Sequence, residues 1–109
     1  MLTFSAIEKI TQGKTLQLVA DRTVATLAID SRRTVVNEST LFFAIAGERN
    51  NGHDYIPMLY QQGIRQFVIE QHVPLEHLAE ANVVQVQSAI AALQSIAAHH
   101  RSQFHIPVV

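Results

Sequence analysis

The hydrophobic pattern alternates between short apolar runs and longer amphipathic stretches. Apolar runs at 41–46, 66–69 and 83–86 are short and rich in β-forming residues, so they predict buried strands. Apolar residues at helical spacing predict helices over 55–62 and 88–100, as well as one at the N-terminus. This alternation indicates an α/β fold, with a small mixed, mainly parallel sheet and covering helices.

The first third of the chain is expected to hold a helix and two strands. Thr3 or Ser5 can cap the opening helix, and Gly13 is expected to be the left-handed residue that ends it. The segments 16–19 and 23–29 are rich in β-branched and aliphatic residues, which predicts two extended segments joined by a polar turn.

Local signals also mark the later helices. Asp54 or His53 can cap the helix over 55–62, and Gly63 lies just past its end. A short helical turn is expected over 74–81. The predicted buried face of the last helix consists of Ile90, Leu93 and Ala97.

The composition limits the classes of function. With 109 residues, 48% of them hydrophobic and 16% charged, the chain has the size of one domain, residues 1–109. A formal net charge of −1 provides no basic field for a nucleic-acid backbone, so we expect no nucleic-acid partner. The chain has no cysteine and no apolar run near the roughly 18 residues of a membrane span, so a cytoplasmic protein without membrane contact is expected.

Two polar clusters follow predicted strands. The first, Asp30–Arg33, combines the Ser31 hydroxyl with guanidinium groups, which match phosphate oxygens two at a time. The second, residues 47–53, has two glycines that let the backbone approach a flat ligand closely. Open α/β sheets bind ligands at the carboxyl ends of their strands, so the clusters predict a binding site. The alternative is a solvated strand end and an ordinary surface connection.

The remaining candidate residues do not favour chemistry in this part of the chain. His99 and His100 are adjacent and would point about 100 degrees apart on a helix, so they do not form a metal-binding pair. His53 can make either a helix-start hydrogen bond or a ligand contact. Ser31 lacks the Gly-x-Ser-x-Gly setting of a serine nucleophile. The sequence also contains no G-x-x-x-x-G-K-[ST] loop of the kind that binds ATP phosphates. We therefore expect no catalytic residue, metal or cofactor in these 109 residues.

Three motifs occur in a specific order: AIDSRR at 28–33, LFFAIAGERNNGHDYI at 41–56 and QQGIRQFVIE at 61–70. This combination resembles the N-terminal domain of the Mur ligases, the ATP-dependent amide-forming enzymes of peptidoglycan precursor synthesis. The resemblance implies the fold of that domain. It is greatest for the type that adds D-alanyl-D-alanine to UDP-N-acetylmuramoyl-tripeptide, and the type that forms the tripeptide comes next.

The resemblance also implies a substrate and its contacts. This domain would bind the UDP part of a UDP-N-acetylmuramoyl-peptide, while a central domain of the same chain binds ATP and Mg²⁺ and a C-terminal domain receives the incoming amino acid or dipeptide. Ile29 would pack on the uracil, the Ser31 hydroxyl would donate to the diphosphate or ribose, and Arg32 would add charge. The implied UDP contacts are Ile29, Ser31, Arg32, Glu48, Arg49 and Asn50.

The last residues, Ile106–Val109, look like the beginning of another strand, and in the family such a strand leads into Gly-x-x-Gly-x-x-Gly-Lys-Thr. We therefore expect the first domain of a longer ligase of cell wall biogenesis, and hence a link to cell shape and division. Two other hypotheses are a freestanding nucleotide-sugar binding or regulatory module, and a structural domain that packs on a partner through Leu59 and Tyr60.

Overall fold

The computed structural model describes residues 2–29, 37–47 and 51–100. Within these ranges the helices are α1 (Phe4–Thr11), α2 (Ile56–Gln62) and α3 (Ala89–His100). The strands are β1 (Lys14–Gln17), β2 (Thr26–Ala28), β3 (Thr40–Phe43), β4 (Gln66–Ile69) and β5 (Asn82–Gln85). Two 3-10 turns cover Gly52–Tyr55 and Leu75–His77. No helix in these ranges has the length and apolar character needed to cross a membrane.

The strands form one sheet in the order β1-β5-β4-β3-β2. The pairs β2–β3, β3–β4 and β4–β5 are parallel, whereas β1 runs antiparallel to β5. In the shared register, Ala28 lies beside Phe42 and Phe42 lies beside Phe67. The predicted mixed, mainly parallel sheet is therefore confirmed.

The strands β1 and β2 lie at opposite edges of the sheet, so the segment that joins them crosses the width of the sheet. The buried side chain of Asn82 holds this segment. Its Oδ1 accepts from the backbone N–H of Val19 at 2.8 Å, and its Nδ2 donates to the carbonyl of Ala20 at 2.6 Å. These bonds satisfy backbone groups of the connecting segment, which crosses from one edge of the sheet to the other.

Both faces of the sheet are buried. Leu41 and Phe43 of β3 belong to the core under α1 and α3, while Phe42 between them belongs to the core under α2. Successive side chains of a strand point to opposite faces, so one continuous apolar run supplies both cores. Across the second core, the rings of Phe42 and Phe67 meet edge to face with centroids 6.4 Å apart.

The end of α1 corrects the role predicted for Gly13. The left-handed residue is Gln12, with φ 59°. Gly13 is required for a different reason, because a Cβ there would lie 2.8 Å from the Gln85 carbonyl oxygen and 2.8 Å from Val86 Cγ1. The glycine therefore allows the chain leaving α1 to approach β5 closely.

The buried face of α3 also differs from the prediction. Ile90 is 50% exposed, while Ala89, Ala92 and Ile96 are buried and Leu93 is partly buried. Alanine side chains on the inner face allow α3 to pack closely on α1 and the sheet, and this turns Ile90 outward. The prediction was therefore wrong for Ile90.

Two neighbouring substitutions should shift stability in opposite directions. Gln12→Gly should raise the free energy of unfolding by about 1 kcal/mol, because glycine adopts the left-handed conformation without steric cost. Gly13→Ala should lower it by about 1–3 kcal/mol, because the new Cβ overlaps backbone and Val86. Urea unfolding measures both, with Gln87→Ala at an exposed position as the control. An unchanged Gly13→Ala midpoint would contradict the close approach.

Candidate functional site

The carboxyl ends of β2, β3, β4 and β5 lie along the same edge of the sheet because these strands are parallel. Since Ala28 pairs with Phe42, the chain leaves β2 and β3 side by side. Ile29, the first residue after β2, is half-buried and packs against the core under α1 and α3. The other predicted UDP contacts lie outside the described residues: Ser31, Arg32, Glu48, Arg49 and Asn50.

The loop that follows β3 is closed at its base. Ala46 and Asn51 form an isolated antiparallel bridge, and the Gly52 N–H donates to the Ile45 carbonyl at 2.8 Å. A Cβ on Gly52 would lie 2.8 Å from Ile45 N and 3.1 Å from Ala44 Cα. Gly52 is thus required for contact with the chain's own backbone, whereas the sequence suggested approach to a ligand.

His53 connects this loop base to the end of β4. Its ring Nε2 accepts hydrogen bonds from the backbone N–H groups of Glu70, at 2.9 Å, and Gln71, at 3.0 Å. Nε2 therefore carries no proton, and the Nδ1–H donates to Asn51 Oδ1 at 2.6 Å. Both ring nitrogens are used inside the protein, so of the two predicted roles, hydrogen bonding within the fold is the one observed.

The protonation of His53 follows from its surroundings. Burial lowers its pKa from the ordinary value of 6.5, although the negative charges of Glu70 and Asp54 act in the opposite direction. The residue that caps the turn is Asn51, whose Oδ1 accepts from the His53 backbone N–H at 3.0 Å. The sequence suggested that Asp54 or His53 would provide the side-chain cap, and neither of them does.

Glu70, the residue after β4, links two further backbone groups. Its Oε1 accepts from Ala46 N–H at 3.2 Å, and its Oε2 accepts from Ala89 N–H, the first residue of α3, at 2.5 Å. A carboxylate at a helix N-terminus is stabilised by the helix dipole and by the free N–H groups there. Sequence reasoning did not identify this role. The available signal was a carboxylate directly after a buried apolar strand.

Two cavities flank this network. A polar cleft of about 660 Å³ is bounded by the end of α1, the start of α3 and the carboxyl ends of β4 and β5, and it includes Lys14, Glu70 and Ser88. A smaller, more apolar cavity of about 420 Å³ lies between α2 and the Leu75–His77 turn.

Among the described residues, no group of three His, Cys, Asp or Glu side chains is arranged to hold a metal ion. The sequence also contains no G-x-x-x-x-G-K-[ST] phosphate loop.

The apolar surface that was predicted to dock on a partner protein is not exposed as predicted. Leu59 is fully buried in the core under α2. Tyr60 is half-buried, its hydroxyl accepts from Glu80 N–H at 3.1 Å, and the Arg65 guanidinium lies 4.2 Å from its ring centroid. The hypothesis of docking through Leu59 is therefore wrong.

Removing the Glu70 carboxylate should weaken the junction of β3, β4 and α3. Glu70→Ala should lower the free energy of unfolding by about 1–2 kcal/mol, because the N–H groups of Ala46 and Ala89 lose their acceptor. Glu70→Gln keeps one acceptor oxygen and should cost less. Urea unfolding and amide exchange at Ala89 measure the effect, with Glu80→Ala as an exposed acidic control. Equal stability of Glu70→Ala and Glu80→Ala would contradict this role.

Comparisons with known proteins agree with the architecture. Residues 23–101 match the family model described as Mur ligase family, catalytic domain. The chain is 34% identical over 94 residues to the UDP-N-acetylmuramoyl-tripeptide--D-alanyl-D-alanine ligase of Synechocystis sp., covering 84% of this chain and 20% of that protein. It is 30% identical over 79 residues to the UDP-N-acetylmuramoyl-L-alanyl-D-glutamate--2,6-diaminopimelate ligase of Cytophaga hutchinsonii, covering 72% of this chain and 16% of that protein.

A crystal structure of MurF from Acinetobacter baumannii has the same fold over 93% of this chain and 21% of its own, with a TM-score of 0.75 and 24% identity. The chain thus spans about a fifth or less of the length of these relatives, at 16%, 20% and 21%. Because the family model matches residues 23–101, most of the sequence, the chain belongs to the Mur ligase family.

Proposed function

We propose that this chain is the UDP-binding N-terminal domain of a longer Mur ligase that acts on a UDP-N-acetylmuramoyl-peptide. The observation that carries the proposal is the parallel pairing of β2 with β3. Because of this pairing, the chain leaves β2 toward Ser31 and Arg32 directly beside the point where it leaves β3 toward the closed loop. Two polar segments that follow neighbouring strands at one edge are the usual setting for a nucleotide in an α/β sheet.

The chemistry of the proposed contacts suits a uridine diphosphate. Ile29 retains partly exposed apolar surface against which a uracil ring can pack. Ser31 and Arg32 supply a hydroxyl donor and a guanidinium for the diphosphate, since guanidinium groups pair with phosphate oxygens. Glu48, Arg49 and Asn50 would read the edge of the base and the ribose from the loop.

The ligase reaction itself would belong to other domains of the longer chain. ATP and Mg²⁺ would activate the substrate carboxylate as an acyl phosphate, which an incoming amine then attacks. In this proposal the contribution of this domain is to bind and orient the nucleotide end of the substrate. We place the enzyme in the cytoplasm, in peptidoglycan precursor synthesis and hence cell shape and division.

Within the family, we propose the type that adds D-alanyl-D-alanine. The curated relative of that type matches 84% of this chain at 34% identity. The ligase that adds diaminopimelate and so forms a tripeptide is the second candidate, because a relative of that type matches 72% of the chain at 30% identity. Assaying the longer enzyme with each amine substrate separates the two types. Turnover with diaminopimelate alone would overturn the first assignment.

The extent of the coding sequence tests the ligase part of the proposal independently. We expect the reading frame to continue past the codon for Val109 into Gly-x-x-Gly-x-x-Gly-Lys-Thr. An immediate stop codon would instead favour a freestanding nucleotide-sugar binder.

Substitutions at the proposed contacts should weaken nucleotide binding. Titration with UDP should shift the amide NMR signals of Ile29 and Ala46, which border the two polar segments. Ser31→Ala and Arg49→Ala should each raise the Kd about tenfold, because each removes a hydrogen bond to a charged or polar part of the nucleotide. Ser95→Ala and Lys9→Ala, at exposed positions on α3 and α1, are matched controls.

Two outcomes contradict this site. One is an unchanged Kd for both Ser31→Ala and Arg49→Ala. The other is an unchanged substrate KM when the same substitutions are made in the longer enzyme, where contacts from further domains add to affinity.

A further inference from the structure

The ring of His53 is the only described side chain that bonds both to the base of the loop after β3 and to two backbone N–H groups at the end of β4. Those two donors, on Glu70 and Gln71, converge on one nitrogen. A second link runs parallel to it, because Asn51 Nδ2 donates to Gln71 Oε1 at 2.8 Å. Asn51 therefore depends on His53 and Gln71 for its position, and it directly follows the proposed contact Asn50.

Protonation would reverse the chemistry at Nε2. An imidazolium has a proton on both nitrogens, so the Nε2–H would face two N–H donors and both hydrogen bonds would be lost. His53 as a whole is only 8% exposed, so water has little access to replace those bonds while the ring stays in place. A buried donor without a partner is costly, and the ring must move outward for the charged form to be solvated.

The groups around the ring determine how readily this happens. Among the described residues, Asp54 in the same turn and Glu70 at the end of β4 raise its pKa, and burial lowers it more strongly. His77 lines the same 420 Å³ cavity as His53, together with the apolar residues Ile56 and Val73. The neutral form is therefore the one that the folded structure selects near neutral pH.

We propose that His53 is a positioning residue whose neutral form fixes the base of the loop after β3, and whose protonation releases that base and weakens UDP binding. The inference rests on the proposed function for its effect on the nucleotide. Its effect on the loop base is independent of any ligand, since it follows from the hydrogen bonds of residues 51–53 and 70–71 alone.

The direction of the pH dependence follows from the lowered pKa. The stabilisation from neutral His53 is fully present above pH 6.5, its unfolded-state value, and is lost as the pH falls through the lower value in the fold. UDP itself titrates near pH 6 on its terminal phosphate, which would confuse the measurement. UDP-N-acetylglucosamine is the better probe, because both of its phosphates are esterified and do not titrate in this range.

The experiment measures the Kd of the chain for UDP-N-acetylglucosamine at pH 7.5 and in steps below pH 6.5, down to the lowest pH at which far-UV circular dichroism shows a folded chain. The Kd should rise about threefold or more over this series, because only the fraction with a fixed loop base binds. His53→Gln places an uncharged amide oxygen near the position of Nε2, so it should keep the affinity of pH 7.5 and lose the pH dependence. His72→Gln, the same change at an exposed histidine, should behave like the unchanged chain.

A second readout needs no ligand. Amide-exchange protection factors of Glu70 and Gln71 should fall over the same pH series in the unchanged chain and in His72→Gln, but not in His53→Gln. Protection factors that stay constant in the unchanged chain would overturn the proposal, as would a full pH dependence of the Kd in His53→Gln. If no variant binds the nucleotide at pH 7.5, the proposed function fails, and the protection factors alone decide the role of His53.

Discussion

Where the parallel strands β3, β4 and β5 end, the backbone donors that follow them must find acceptors outside the sheet. The ladder itself continues for one residue past β3 and β5, where Ala44 N–H donates to the Val68 carbonyl and Val86 N–H donates to the Ile69 carbonyl, both at 2.9 Å. Beyond that point side chains take over. His53 accepts from the two residues after β4, and Glu70 accepts from Ala46 and from the start of α3. The edge proposed to bind nucleotide is thus built on satisfied backbone groups.

At the amino ends of the strands, buried side-chain amides satisfy backbone groups of the connecting segments. Gln66, fully buried, donates through Nε2 to the carbonyls of Thr23 and Glu38 at 3.1 and 2.9 Å. Asn82, also fully buried, holds the segment that crosses from β1 to β2. These uncharged side chains hold the connecting segments on the sheet without burying a charge. The titratable hydrogen-bond network of His53 and Glu70 lies at the carboxyl ends of the strands.

Because of this difference, the hydrogen bonds at the carboxyl ends of the strands can respond to pH. The bonds at Nε2 of His53 exist in one protonation state only, whereas the amide bonds of Gln66 and Asn82 do not change with pH. A loop base that depends on a histidine is therefore stable near neutral pH and sensitive below it. Under the proposed function, the affinity for the nucleotide therefore falls at the pH at which the loop base is released.

The order of elements, the parallel sheet and the burial of β3 on both faces were readable from the sequence, because periodicity and apolar runs are local properties of a chain. The polar residues that follow β2 and β3 in the chain were readable for the same reason. The resemblance to the Mur ligases depended on motif order, which is also linear.

Only the tertiary structure decided which polar groups meet. Glu70 and Ala89 lie 19 positions apart, and Asn82 reaches Ala20 across 62 positions, so no local pattern pairs them. The reasons for Gly13 and Gly52 also come from tertiary contacts, since each glycine is required by a backbone segment packed against it. The sequence by itself determined which elements form, and long-range packing determined what each polar residue and glycine does, because hydrogen-bond partners are set by how the elements pack.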